Sequence, residues 1–349
     1  MKVSHVLSAF ALVGTVLAAA PAAAQDPITI RIATFLPPNG LFTGAEGVFA
    51  TWGKQVEADS GGLVKVQIFP GGTLGAAGRD PSAQLKMVTD GVADMSFIIP
   101  TTTPGRFPDD SVFGLPAAEN SLEASLAYWT LSQAGIMRGH KDDGFHVLGL
   151  CVNPPNTLHT KDAVAKLEDL KGLRLQSSGP EQQAIIRALG AAPIGTVSVR
   201  DVAEAISRGV VDGTLKDWIA VNSFRIVQSA FHHVDIPLGS ATIMIAMNAE
   251  KYKSLPPKAK AAVDKNSGEA LVRLMGTRFD GALSQNKEKI AKDSKHTIVA
   301  LDATEKARWD KAVDDVIADW RKQSPENDKL WAAYQKTLGE IRTGKRAAR

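Results

Sequence analysis

A short segment from Leu170 to Gln183, LKGLRLQSSGPEQQ, places polar side chains at the point where a strand gives way to a helix. Apolar and polar residues alternate up to Gln176, as in a strand, and Pro180 suits the first turn of a helix. Unpaired backbone N–H groups at such a junction often hold a small polar or anionic group in α/β proteins. The segment therefore indicates a binding site, in which the last strand side chain is a neutral amide.

The sequence lacks the motifs of the common enzyme classes. It has no metalloprotease helix motif, nucleophile elbow, P-loop or dinucleotide fingerprint. Ser177 and Ser178 have no matching His and Asp and are interpreted as helix-capping residues. His232 and His233 are adjacent, so they point to opposite sides of a strand, which disfavours a shared metal site. We therefore predict a protein that is not an enzyme, with no catalytic residue, no metal ligand and no cofactor.

The first 25 residues have the pattern of an export signal. Lys2 is followed by the apolar run VLSAFALVGTVLAAA and by small residues before Gln25. This arrangement is typical of a secretory signal peptide, and the run is too short and too rich in small residues to span a bilayer well. We predict that residues 1–25 are cleaved and that the mature protein is exported.

Composition and charge limit the class of partner. The chain has 349 residues, so removal of 25 leaves 324, enough for two domains. Its net charge is +3, with acids and bases mixed along the sequence, which gives no reason to expect nucleic-acid binding. Cys151 is the single cysteine, so no disulfide can form within the chain, and its apolar neighbours indicate a buried position.

Strands and helices alternate along the chain. Apolar residues recur at every second position in ITIRIATF, LVKVQIFP and ADMSFIIP, whereas Val48, Trp52 and Val56 recur at helical spacing. From Pro257 to about Ser294 the pattern stays helical, and at ~1.5 Å per residue such a helix is longer than one domain is wide. We predict an α/β fold of two lobes that are bridged by this helix and close on a ligand by a hinge motion.

Seven segments along the mature chain carry a resemblance to one family of transport proteins. They are IATFLPPNG, DGVADMSFIIP, PGRFP, LEDLKGLRL, ALGAAPIG, RGVVDG and LPPKAKAAV. In this order they resemble the periplasmic solute-binding proteins of tripartite ATP-independent periplasmic (TRAP) transporters, the DctP family. The resemblance implies a two-lobe periplasmic solute-binding fold with a hinge, crossing strands and a long C-terminal helix spanning both lobes. Lobe I would comprise 26–150 and about 238–270, and lobe II would comprise 151–237 with part of 271–349, including the long helix.

The resemblance also implies a function and partners. The protein would be a periplasmic receptor that captures a small organic solute, either an organic acid or an aromatic or neutral polar compound. It would deliver the solute to the small and large membrane subunits of the transporter, contact the membrane only through them, and act as a monomer. A ligand-sensing module for a membrane sensor remains an alternative, because sensing needs the same closure, and an exported enzyme is a further alternative.

The same resemblance makes Gln176 informative. Family members usually have an Arg at the end of this strand, which forms a bidentate salt bridge with the substrate carboxylate, and a second Arg that would fall near Pro155. Neither is present here. Exchanging a charge-assisted hydrogen bond for a neutral one weakens carboxylate binding by roughly tenfold or more. Another group must therefore hold an acid, or the solute is not an acid.

Several residues are candidates for this compensating role. Lys216 aligns with a position that lines the cleft in many relatives, and Trp218 either stacks on a ring of the solute or packs between the lobes. Arg174 aligns with a solvent-facing position, Arg200 with the first turn of a helix, and Arg106 with a structural residue. We therefore place the first two, and not the three arginines, in the site.

The resulting site combines neutral hydrogen-bonding groups with apolar area. The predicted ligand-binding residues are Phe35, Thr102, Asn153, Asn156, Gln176, Lys216, Asp217 and Trp218. Such a pocket suits a neutral or singly charged solute, including an aromatic one, better than a doubly charged C4 acid.

Overall fold

The computed structural model describes residues 26–103, 105–141 and 144–345. The predicted signal peptide, residues 1–25, lies outside the described residues. The strands are β1 (Ile28–Ala33), β2 (Val64–Phe69), β3 (Met95–Ile98), β4 (Phe145–Val152), β5 (Thr157–Thr160), β6 (Arg174–Gln176), β7 (Ala192–Ile194), β8 (Gly213–Lys216), β9 (His232–Val234), β10 (Thr242–Asn248) and β11 (Thr297–Val299).

The α-helices surround these strands and also form the C-terminal part of the described chain. They are α1 (Val48–Ser60), α2 (Gln84–Thr89), α3 (Ser121–Gln133), α4 (Pro180–Ala188), α5 (Val202–Ser207), α6 (Trp218–Ser223), α7 (Ala249–Ser254), α8 (Pro257–Asn266), α9 (Glu269–Ala291), α10 (Ala303–Lys322) and α11 (Pro325–Arg342). Within the described ranges, no helix combines the length and the apolar character that crossing a membrane requires.

The strands form two sheets. The first has the order β2-β1-β3-β10-β4, in which β10 is antiparallel to both of its neighbours. The second has the order β11-β9-β5-β8-β6-β7. The chain passes from the first sheet to the second through residues 153–156 and returns through 235–241. We call the first sheet with its helices lobe I and the second lobe II.

Lobe I is built on regular apolar periodicity. Ile30 and Ile32 of β1 are fully buried, and Trp52 and Val56 of α1 pack in the same core. The helix ends at Gly61, whose φ of 66° lies in the left-handed region that glycine adopts at low cost. Each large apolar side chain contributes about 1.5–3 kcal/mol by leaving water. The core therefore fixes the strand ends that reach the second lobe.

Lobe II has two different sheet faces. On one face Leu158, Leu175 and Leu215 pack with Trp309 of α10 in an apolar core. The other face carries polar side chains, because the residues that follow these leucines along each strand are polar. Register places Gln176 beside Thr214, and Thr214 beside His159. All of these polar side chains are buried, so each requires a hydrogen-bonding partner inside the lobe.

The prediction of a single helix from 257 to about 294 is wrong in one respect, because the structure has two helices, α8 and α9, in this range. The chain leaves the helical conformation at Ser267 and at Gly268, which has φ 60° and ψ −138° and which separates α8 from α9. Even so, α9 connects the lobes as expected. Met275 packs in the core of lobe I, whereas Ile290 packs in a core of lobe II.

Candidate ligand-binding site

A cavity of about 500 Å³ lies between the two lobes. It is lined by residues at the carboxyl ends of β1, β3, β6 and β8, and by both crossing segments. Strand ends and crossing points are where α/β proteins bind small molecules, and the volume is that of a typical small-molecule site. The fold therefore provides one site that both lobes share.

Aromatic rings form the lobe I wall of the cavity. Phe97 packs edge-on against Phe35 and Phe42, with ring centroids 5.8 and 4.8 Å apart, and Phe42 packs against Phe279 of α9 at 5.5 Å. All four line the cavity. These edge contacts lock the rings together, so this wall offers a preformed apolar surface.

Lys216 supplies a positive charge on the lobe II wall. It is 6% exposed, and its Nζ donates to Ser178 Oγ at 2.7 Å. Burial lowers the pKa of Lys216 to about 8, although the neighbouring Asp217 raises it. The ammonium has three N–H groups and therefore keeps donors for a ligand. Among the described residues that line the cavity, Lys216 is the one cation.

Asp217, also predicted as a ligand contact, caps helix α6. Its Oδ1 accepts from the backbone N–H groups of Ile219 and Ala220, both at 2.9 Å. Its Oδ2 accepts from Asn153 Nδ2 at 2.7 Å. Burial raises the pKa of this carboxyl group, and these hydrogen bonds oppose that rise. Asp217 lines the cavity, but both of its oxygens already have partners inside the protein.

The two predicted asparagines differ in what they can offer. Asn153 donates to Asp217 and accepts from the backbone N–H of Ala241, so it ties the two crossing segments together. Asn156 lines the cavity and is 4% exposed, and its side-chain amide makes no hydrogen bond with the residues that the structure describes. Asn156 therefore has both donor and acceptor capacity for a solute.

Gln176 lines the cavity, but its amide is engaged within lobe II. Its Nε2 donates to the carbonyls of Ser177 and Val197, at 3.0 and 3.1 Å. Its Oε1 accepts from Thr214 Oγ1 at 2.7 Å. The sequence predicted a directional contact to the solute at this position. Nε2 also lies 3.4 Å from Ser178 Oγ, so the structure instead gives this amide four partners within the protein.

Trp218 lies outside the cavity lining, unlike the other seven predicted residues. It begins α6 directly after the capping Asp217, and its ring packs inside lobe II against His159. Its Nε1 donates to Asp235 Oδ1 at 3.1 Å. Thr102 does line the cavity, with its hydroxyl donating to the carbonyl of Ile99 at 2.7 Å.

Two of the arginines weighed from sequence are held elsewhere. Arg174 is exposed and pairs with Asp212 at 2.9 Å. Arg200 reaches across to lobe I, where its NH1 donates to the carbonyl of Phe35 at 2.6 Å. Neither lines the cavity.

Two residues that line the cavity, Ser178 and Phe97, were not predicted. Ser178 was missed because a hydroxyl before Gly and Pro is typical of a helix cap. Phe97 was missed although its place in a buried strand was evident.

Comparisons with known proteins identify the family. The model of the bacterial extracellular solute-binding protein family 7, DctP, matches residues 42–323. The chain belongs to this family. The predicted family, the two-lobe α/β fold and the solute-binding receptor function are therefore confirmed.

Solved structures of similar proteins include two that contain aromatic acids. One is a TRAP solute-binding protein from a marine metagenome, specific for aromatic acid ligands and co-crystallised with 3-hydroxybenzoate. It is 27% identical, with a TM-score of 0.82, over 90% of this chain and 98% of that one. A second, from Rhodoferax ferrireducens T118, contains copurified benzoate. It is 25% identical, with a TM-score of 0.81, over 91% of this chain and all of that one.

A curated relative is more distant. The outer membrane transporter protein TsaT of Comamonas testosteroni is 24% identical over 285 residues, which are 80% of this chain and 82% of that protein. Both of these relatives of known structure are TRAP solute-binding proteins, and the family consists of bacterial extracellular solute-binding proteins.

Proposed function

We propose that this receptor captures an aromatic monocarboxylate. The observation that supports the proposal is the buried ammonium of Lys216, which faces a largely apolar cavity and has a neutral hydroxyl as its hydrogen-bonding partner. The solute carboxylate would accept from Lys216 Nζ, and the free amide of Asn156 would bind a further polar atom. The ring of the solute would pack against Phe35 and Phe97.

The charge balance of the cavity argues for one carboxylate and against two. Lys216 can neutralise one anionic group, and a charge-assisted hydrogen bond contributes about 1.5–3 kcal/mol, or roughly 10–150-fold in affinity. A second carboxylate would have no cation in the described lining, which instead contains the acidic residues Asp80 and Asp217. A C4 dicarboxylate is therefore disfavoured by uncompensated burial of charge.

Capture would proceed by closure of the lobes around the solute. We propose lobe I as 26–150 with about 238–270, and lobe II as 151–237 with part of 271–349, hinged at the crossing segments. A solute that contacts Lys216 in lobe II and Phe97 in lobe I favours the closed state, because it binds that state better. The mature, monomeric receptor would work in the periplasm, perform no catalysis, and deliver the solute to the small and large membrane subunits.

Calorimetry with matched ligands tests this function. Benzoate and 3-hydroxybenzoate should bind more tightly than succinate, and mass spectrometry should detect an aromatic acid that copurifies with the exported protein. Lys216→Met should weaken benzoate by about 10–100-fold and leave its neutral analogue benzamide nearly unchanged. Lys171→Met, which removes an exposed lysine of lobe II, is the matched control. Tighter binding of succinate, or an unaffected Lys216→Met variant, would contradict the proposal.

A further inference from the structure

The loop at residues 195–199 connects the cavity to the contact between the lobes. It lines the cavity along its whole length. Val199 at its end packs against the apolar cluster that contains Phe35 and Phe97 of lobe I and also Ile219 of α6, although the loop belongs to lobe II. The next residue, Arg200, donates to the carbonyl of Phe35 in lobe I at 2.6 Å. We call residues 195–200 the closing loop.

Gln176, at the end of β6, forms a hydrogen bond with this loop. Its Nε2 donates to the carbonyl of Val197 at 3.1 Å, near the middle of the closing loop. Its orientation is fixed by Thr214 Oγ1, which donates to Gln176 Oε1 at 2.7 Å, and by the carbonyl of Ser177. A chain of contacts thus runs from the lobe II sheet through Gln176 to the closing loop, and from there to lobe I.

Glutamine is a side chain whose chemistry fits these neighbours. Two backbone carbonyls accept and the hydroxyl of Thr214 donates in this arrangement, and an amide supplies both the donor and the acceptor. Arginine has no acceptor for that hydroxyl, and a carboxylate has no donor for the carbonyls. The neutral residue at this strand end is therefore matched to its protein neighbours and not to a solute.

We propose that Gln176 is a positioning residue for closure. It holds the closing loop so that Val199 and Arg200 reach lobe I, and it does not contact the solute. Loss of Gln176 releases the loop and speeds solute escape, whatever charge the solute carries. The inference concerns the same cavity as the proposed function, and an aromatic acid serves in it as a probe.

A double-mutant cycle on dissociation rates tests this role. Stopped-flow measurements with 3-hydroxybenzoate should show about 3–10-fold faster dissociation for Gln176→Ala, the range expected for one or two neutral hydrogen bonds. Arg200→Ala loses a charge-assisted hydrogen bond and should be at least as fast. If Gln176 acts through Arg200, the double variant should be no faster than the faster single variant. Arg208→Ala, which removes an exposed arginine of the same lobe, is the control and should be unchanged.

Two outcomes of the kinetic test would overturn the inference. Additive effects of the two substitutions would mean that Gln176 does not act through Arg200. A change in the ratio of benzoate to benzamide affinity in Gln176→Ala would mean that Gln176 reads the carboxylate directly. Gln176→Met provides a second variant of similar length without a charge, and it should behave like Gln176→Ala because it lacks the donor to Val197.

A distance measurement without ligand separates this inference from the identity of the solute. Spin labels on Lys54→Cys in lobe I and Lys171→Cys in lobe II would report the separation of the lobes, because the native Cys151 is fully buried. Gln176→Ala and Arg200→Ala should each shift the distances towards a more open form. Unchanged distances in both variants would overturn the role in closure. Failure of the wild type to bind 3-hydroxybenzoate would overturn the proposed solute alone.

Discussion

The two walls of the cavity use different chemistry. The lobe I wall presents interlocked rings, with Phe35 and Phe42 packed edge-on against Phe97. The lobe II wall presents the ammonium of Lys216 and the hydroxyl of Ser178. One lobe thus offers shape and apolar area, and the other offers charge and directional hydrogen bonds. A solute that needs both kinds of contact is held well only when the lobes are together.

The contrast continues into the two sheets. Strands β3 and β10 at the centre of lobe I bury mainly apolar side chains. In lobe II three histidines form a chain, of which His159 and His233 are buried and His296 is half-buried. His159 Nδ1 lies 2.8 Å from His233 Nδ1, and His233 Nε2 lies 3.0 Å from His296 Nδ1. His159 Nε2 also lies 3.0 Å from the carbonyl of Lys216. The polar wall therefore rests on a polar interior.

Acid should destabilise lobe II more than lobe I, and we expect this to be the largest effect. Burial lowers the pKa of His159 to about 3 and, together with repulsion from neighbouring histidines, that of His233 to about 2. The unfolded chain, with a histidine pKa of 6.5, binds these protons more readily than the folded protein. The free energy of unfolding is therefore at its full value above pH 6.5 and falls as the pH decreases below it. At about 1.4 kcal/mol per histidine and pH unit, roughly 3 kcal/mol should be lost at pH 5.5.

Urea denaturation at pH 7.5 and 5.5 measures this loss. Hydrogen exchange, corrected for its intrinsic pH dependence, should show that β5 and β9 of lobe II lose protection before β3 and β10 of lobe I. His233→Gln should remove about half of the pH effect. Equal stability at the two pH values, or earlier loss of protection in lobe I, would break the contrast between the lobes.

Alkaline pH should weaken carboxylate binding to the lobe II wall, and this effect should be smaller than the effect of acid on stability. The pKa of Lys216 is lowered to about 8 because the ammonium is buried. Only the protonated form of Lys216 carries the charge that binds the solute carboxylate. Affinity for benzoate should therefore be constant below pH 7 and fall above pH 8, by about tenfold at pH 9 relative to that plateau. Calorimetry from pH 6.5 to 9.5 tests this expectation. Benzamide, which carries no charge, should show no such fall, and a parallel fall for both ligands would refute the assignment to Lys216.

Regular periodicity explains how much of the fold the sequence predicts. β1 and α1 follow from alternating isoleucines and from the spacing of Val48, Trp52 and Val56, because each buries one apolar face. Helix α3 was not predicted, since its buried face includes three serines and two alanines and therefore carries no clear apolar stripe. The break between α8 and α9 depends on the conformation of Gly268, and apolar spacing does not specify a dihedral angle.

Partners distant in sequence limit prediction of the site. Lys216 and Phe35 line the cavity as the sequence predicted, because residue type and position at a strand end suffice to place them there. The role of Gln176 depends on Val197 and Thr214, which lie 21 and 38 residues away and meet it only when β6, β7 and β8 pair. Trp218 was misplaced because the sequence did not predict α6, whose first turn directs the ring into lobe II.

A substitution in the apolar wall should give the smallest effect and the sharpest contrast with Lys216. Phe97→Leu removes the ring that packs against Phe35 and Phe42 but keeps an apolar side chain, so the fold is retained at a modest cost. An aromatic contact contributes about 0.5–1.5 kcal/mol beyond burial, so affinity should fall about 2–10-fold. Because this wall reads shape and not charge, benzoate and benzamide should lose the same factor in parallel titrations. A loss confined to benzoate would mean that lobe I also senses the carboxylate, and the division of labour between the two walls would fail.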